Sequence, residues 1–169
     1  KLDDVYLGPG HDDATIARTL DQYSAVATKL ERADLLSQTA DLIADGNVIG
    51  WYQGRLEWGP RALGHRPILG DPRHPEMRDI INRKIKFREG FRPFAPSCLE
   101  EDLDEWFEID RPSPHMLLVD QVKPEIRNGP KALKAVTHVD GSARIQSVNR
   151  EQEPLYYDLI RAFKDRTGV

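Results

Sequence analysis

Between Gly54 and Leu99 the chain reads GRLEWGPRALGHRPILGDPRHPEMRDIINRKIKFREGFRPFAPSCL, a run that crowds arginines, prolines and glycines together. Proline lacks an amide hydrogen and clashes with the preceding helical turn, so Pro93 and Pro96 forbid a helix through RPFAP. Glycines and prolines instead let cationic side chains converge from rigid loops. From Arg55 to Arg92 there are 10 Lys/Arg against 5 Asp/Glu, a local charge of +5. The whole chain carries −4, so the remainder carries −9, a separation of sign unlike a uniformly solvated surface.

The rest of the pattern predicts an α/β domain spanning residues 1–169. Asp12 or Asp13 can cap a helix whose Ile16, Ala17 and Leu20 share a face. A second helix is expected over Asp34–Asp45, with Leu35, Leu36, Thr39, Leu42 and Ile43 as its stripe and Gly46 ending it. A buried strand should follow over Asn47–Gln53. Pro75 opens a third helix to about Arg83. Continuing it would place Lys84 and Arg88 on the face of Met77, so period two is expected beyond: Ile85 and Phe87 one way, Lys84, Lys86 and Arg88 the other. Further strands are expected at Met116–Val119 and, half-buried, at Ala143–Val148, with a polar loop over Lys123–Ala132 between them. Glu153–Phe163 reads as a closing amphipathic helix. The ending FKDRTGV suggests a glycine cap leading into a strand that lies beyond this fragment.

Composition excludes several classes. No apolar run reaches the roughly 18 residues that span a bilayer, and no basic-then-apolar leader is seen. With the single cysteine Cys98 an internal disulfide is impossible, and a cytoplasmic location is expected. Cys98 has no neighbouring histidine and reads as a buried thiol rather than a nucleophile. GPRALGHR lacks the Gly-Lys-Ser/Thr ending of a phosphate loop. The five histidines show no zinc spacing, so no metal ligands are assigned. What remains is chemistry for anions: an arginine fork pairs two phosphate oxygens at once, and a lysine adds a compact charge. Ion pairs with Glu57, Glu76, Asp79 and Glu89 are the structural alternative for any single arginine. A nucleic-acid-binding module using Phe87, Phe91 and Phe94 as stacking platforms is a rival for the whole segment. The overall acidity argues against it. A non-catalytic interaction domain is a third possibility.

GWYQGRLEWGPRALGHRPIL, IKFREGFRPFAPSCL, SPHM and HVDGSARIQSV, in this order, resemble the C-terminal domain of the O-carbamoyltransferase family, which includes nodulation-factor, cephamycin and tobramycin carbamoyltransferases. One departure is Pro67, where that family usually has serine. The resemblance implies a YrdC-like fold, a twisted mixed sheet flanked by helices and here lacking its final strand. It also implies a domain that binds ATP, with Mg²⁺ on the nucleotide, and carbamoyl phosphate, and that forms carbamoyl-adenylate. A separate N-terminal domain of the actin-like ATPase superfamily would then pass the carbamoyl group to a hydroxyl. Carried over by motif, the catalytic candidates are Arg61, Lys86 and Arg144. Arg92, Ser142 and Met116 join them as substrate-binding residues, Met116 as a pocket wall. Arg88 shares the cationic face of Lys86 and is included. Arg61 and Arg144 are expected on phosphate or carboxylate oxygens, and Lys86 and Arg92 on the nucleotide phosphates.

If several cations face several phosphates, affinity for ATP should fall steeply with ionic strength. Calorimetry at low and high salt checks this; equal affinities would count against a phosphate cradle.

Overall fold

The computed structural model describes residues 5–169. Its elements run α1 (Asp13–Gln22), α2 (Arg32–Ala44), β1 (Ile49–Gly50), β2 (Ile68–Leu69), α3 (Met77–Ile81), β3 (Ser97–Leu99), α4 (Leu103–Trp106), β4 (Val119–Gln121), α5 (Pro124–Arg127), β5 (Ser142–Arg144), β6 (Gln146–Val148) and α6 (Pro154–Thr167). The α/β class is the one expected.

The extended run Ser142–Val148 organises the strands. Its first half, β5, pairs antiparallel with β4, and its second half, β6, pairs parallel with β3. Between them the Ile145 amide donates to the Leu118 carbonyl at 3.1 Å. The pairing is therefore mixed, but it is divided into short two-stranded ladders. β1 and β2 form a third, antiparallel ladder, prolonged by Trp51 N to Pro67 O and Gln53 N to His65 O. Alternation along Ala143–Val148 predicted a half-buried strand. Instead Ser142, Ala143, Ile145, Gln146, Ser147 and Val148 are all buried. The polar members can be buried because their groups are bonded: Gln146 accepts from Ser97 Oγ and donates to the Leu63 carbonyl, and Ser147 Oγ accepts from the Ser113 amide.

Two apolar clusters flank this run. Met77, Ile81, Trp106, Phe107, Val122 and Ile145 belong to one. Ala40, Ile43, Trp51, Leu99, Leu159 and Phe163 belong to the other, where α2 packs on α6. The α2 stripe is shifted from expectation: Thr39, Ala40 and Ile43 are buried while Leu42 is 46% exposed. Asp12 caps α1 by accepting from the Thr15 amide, yet α1 buries none of its residues. At the other end Gly168 adopts φ +72° and caps α6, as its sequence predicts.

Three local expectations are corrected. Lys84–Arg88 is not extended. The helix continues as a π-helical turn over Asn82–Lys86, and Phe87 stops it in the left-handed region at φ +47°. The wider turn leaves Lys84, Ile85 and Lys86 exposed, which removes the conflict with Met77 that favoured an extended reading. Met116 does not begin a strand: it sits at φ +54°, and β4 starts at Val119. The polar stretch after Lys123 contains α5, with Pro124 in its first turn.

A buried histidine ties the arginine-rich loop to α6. His65 Nε2 lies 2.7 Å from Glu153 Oε2, and His65 Nδ1 meets the Arg55 carbonyl. Acceptors on both ring nitrogens favour the doubly protonated imidazolium. Burial opposes that charge, but the Glu153 carboxylate and the Arg55 carbonyl outweigh it and raise His65 above its ordinary 6.5. A raised native pKa gives stability that is complete below about pH 6.5 and is lost as pH rises through the native value. Urea unfolding should therefore show stability declining from pH 6 upward, and Glu153→Gln should flatten that decline. Ile145 is fully buried. Ile145→Ala should lower the unfolding free energy by about 2–5 kcal/mol with an unchanged denaturant slope.

Candidate functional site

The loop from Glu57 to Arg66 folds around a buried carboxylate. Glu57 Oε1 accepts from the amides of Leu63 and His65, both at 2.8 Å, and of Arg66 at 3.2 Å. Its Oε2 lies 3.1 Å from Arg66 Nε, a charge contact rather than an aligned hydrogen bond. Gly64 is required here, since it adopts φ +117° and a Cβ would come within 2.6 Å of the Tyr156 ring. The Tyr6 ring stacks on His65 with centroids 3.7 Å apart. Held in this way, the loop presents Arg61 to a cavity of about 400 Å³.

Other elements supply the remaining cations. Strand alternation in β5 and β6 turns Ala143 and Ile145 into the first apolar cluster and Arg144 and Gln146 into the cavity wall. The π-helical turn and its exit bring Lys86 and Arg88, with Arg88 stacked over the Phe94 ring at 4.9 Å. Met116 forms part of the wall. The cavity thus has a cationic side, and its apolar side runs between the two clusters, from Met77 to Phe163.

Arg144 defines the electrostatics. Its Nε is buried and has no hydrogen-bond partner among the described residues. Burial and the positive charges of Arg61 and Arg88 hold its pKa below the usual arginine value. The charges of Arg61 and Arg88 thus bear on Arg144, no ion pair to any of the three is formed among the described residues, and an anion in the cavity would relieve that field. The other arginines of the basic segment are largely committed. Arg66 is on Glu57, Arg73 grips Asp71 with two nitrogens, and Arg92 pairs with Glu89 at 2.9 Å. Arg55 donates to the carbonyls of Leu7 and Gly8.

Of the residues expected from sequence, Arg61, Lys86, Arg88, Met116 and Arg144 meet at one cavity. Arg92 and Ser142 do not line it. Arg92 is about half exposed and held by Glu89. Ser142 is buried, and its hydroxyl donates to Asp140 at 2.7 Å in a turn that also approaches His138. Gln146 and Asn82 were not singled out in the sequence, and Glu57 was named there only as a possible ion-pair partner. Cys98 is buried, and burial pushes its thiol pKa up, as its sequence context suggests. Among the described residues no group of three or more His, Cys, Asp or Glu is placed to hold a metal ion, and no helix is long and apolar enough to cross a membrane.

Residues 40–169 match the family model described as carbamoyltransferase C-terminus. The chain is 48% identical over 174 residues to nodulation protein NolO of Bradyrhizobium diazoefficiens, an alignment covering 100% of this chain and 31% of that protein. It is 44% identical over 127 residues to a 3'-hydroxymethylcephem-O-carbamoyltransferase of Amycolatopsis lactamdurans, covering 75% of this chain and 23% of that protein. Nodulation protein U of Rhizobium tropici is 39% identical over 132 residues, with 78% and 22% covered. The chain spans only about three tenths of the length of the first two relatives it matches, 29% and 31%. Long agreement with several such proteins, and a family match that takes in Arg61, Lys86, Arg88, Met116 and Arg144, make this chain a member of the carbamoyltransferase C-terminus family.

Proposed function

We propose that this chain binds ATP and carbamoyl phosphate and forms carbamoyl-adenylate as one domain of an O-carbamoyltransferase. The observation that carries the reading is Arg144, a half-buried arginine whose buried Nε has no partner among the described residues, beside Arg61 and Arg88. Carbamoyl phosphate and ATP are both multiply charged anions near neutral pH, so bringing them together requires such a field. In the reaction water would cleave carbamoyl phosphate to carbamate and inorganic phosphate, and a carbamate oxygen would then bond to the α-phosphorus of ATP as the bond to the departing pyrophosphate breaks. Positioning and charge neutralisation are most of what a protein supplies to such a step. Arg144 and Arg61 would hold phosphate or carboxylate oxygens, and Lys86 and Arg88, from the solvent side, the nucleotide phosphates. Guanidinium and ammonium groups do not ligate metals, so Mg²⁺ would ride on the triphosphate.

The hydroxyl transfer would belong to a separate N-terminal domain of the actin-like ATPase superfamily. A carbamoyl-adenylate is a reactive mixed anhydride. Its transfer calls for an acceptor held in line, shielded from water and deprotonated by a base or a metal. The cavity described here offers cations and apolar wall for anhydride formation.

The direct experiment measures pyrophosphate release from ATP, Mg²⁺ and carbamoyl phosphate. Lys86→Ala should reduce it by about 10- to 100-fold, the scale of one charge-assisted contact, without loss of fold because Lys86 is exposed. Arg61→Lys should also be impaired, since lysine keeps the charge and loses the fork. Near-normal release in both would remove the cavity from the reaction, and competition by short RNA against ATP would favour a nucleic-acid groove. With a panel of sugar and antibiotic alcohols, mass spectrometry should detect no carbamoylated product from these 169 residues alone. Efficient product formation would overturn the division of labour between domains.

A further inference from the structure

Asn82 is fully buried at the first position of the π-helical turn, and every polar atom of its side chain is used. Nδ2 donates to the Arg92 carbonyl at 2.9 Å and to the Gly90 carbonyl at 3.3 Å. Oδ1 accepts from Arg88 Nε at 2.7 Å. Its own carbonyl receives the amides of Phe87 and, at 3.1 Å, Arg88. One residue thus clasps both the main chain of 87–92 and the side chain of Arg88. Only one orientation of the amide serves all three side-chain partners, because two are carbonyls and the third is a guanidinium.

The geometry has a consequence for the cavity. Asn82 Oδ1 holds Arg88 at Nε, and Phe94 supports the plane of the same guanidinium. Among the described residues the terminal nitrogens of Arg88 carry no hydrogen bond, so they stay available to a ligand in the cavity that Arg88 lines. Phe87, in the left-handed conformation, turns the chain so that Lys86 and Arg88 both reach that cavity. We propose that Asn82 is a positioning residue, which sets Arg88 and the 87–92 loop in the geometry that binds the anionic substrate. The substrate part of this inference rests on the reading of the cavity given above. Glutamine carries the same amide on a side chain one methylene longer, which does not fit a fully buried position. Aspartate could still accept from Arg88 but would turn a second oxygen on two carbonyls, serine cannot span all three partners, and leucine would leave them buried and unpaired.

The test has two arms. In the first, the Arg88 Nε–H resonance is assigned by its loss in Arg88→Lys, and its hydrogen exchange is followed in the ligand-free chain. Asn82→Ala should accelerate that exchange at least 10-fold. Asn82→Asp should keep Arg88 Nε–H protected while the amides of 89–92 exchange faster, and it serves alone if the alanine variant does not fold. Unchanged Arg88 Nε–H exchange in Asn82→Ala, or unchanged exchange of the 89–92 amides in Asn82→Asp, would overturn the proposal, and this arm does not depend on what the cavity binds. In the second arm, ATP affinity is measured by calorimetry for the native chain, Asn82→Ala, Arg88→Ala and the double variant. If Asn82 acts through Arg88, each single variant weakens binding about 10- to 100-fold and the double variant is within about 2-fold of Arg88→Ala. Losses that multiply would overturn the coupling and assign Asn82 to general stability. A native chain that binds no ATP would overturn the function proposed above, and Asn82 would then be judged by the exchange of Arg88.

Discussion

A carboxylate with no solvent exposure, that of Glu57, is the constraint around which the site is built. An ionised carboxylate is costly to bury unless its lone pairs are filled. Here the amides of Leu63, His65 and Arg66 all donate to one oxygen, and the charge of Arg66 lies against the other. The charge therefore does not simply neutralise a neighbour. It dictates the path of the loop, and that path fixes where Arg61 emerges and how His65 meets Glu153 across 88 residues of chain. Gly64 is the conformational condition for the same fold, because any side chain there would meet Tyr156.

The basic segment separates into two populations by partner. Arg66 and Arg73 are consumed by buried acids on their own loop, and Arg55 by backbone carbonyls. These are structural cations whose charge is spent on architecture. Arg61 and Arg88, joined by Arg144 from β5, form no ion pair among the described residues and line one cavity. Natural proteins pair buried charges or hydrogen-bond them fully, so an unsatisfied guanidinium nitrogen in the interior calls for an explanation. Anion binding provides one, and membership in the carbamoyltransferase family gives that anion a chemical context.

Much of this was legible from residues alone, and for identifiable reasons. The prolines and the sign separation announced a rigid cationic platform, and alternation along Ala143–Val148 found the central run. Motif order placed five residues that do meet at the cavity. The failures are equally physical. Period two around Lys84–Arg88 was inferred from the cost of burying cations, but a π-helical turn avoids that cost by leaving them in solvent. Arg92 belongs to a matching motif yet is held by Glu89, and Ser142 spends its hydroxyl on Asp140. Glu89 was among the acids named as possible partners, but which arginine it takes, like the pairing of Ser142 with Asp140, depends on how the loops close in three dimensions. Burial of both faces of β5 and β6 was hidden for the same reason: Gln146 and Ser147 look like surface residues until their partners are known.

The contacts that close the cavity join distant parts of the chain. Gln146 reaches Leu63 across 83 residues, and β3 pairs with β6 across 49. Local helix formation cannot create such a site, since non-local pairings form only after large loop-closure costs are met. The cavity therefore exists in the globally folded chain and not in partially folded ones. A ligand that requires it binds the native state alone, so at one hundred times its dissociation constant it would add about 2.7 kcal/mol to the stability of the whole domain. Helices remote from the cations, such as α2 packed on α6, would share in that protection and become harder to open when the cavity is filled.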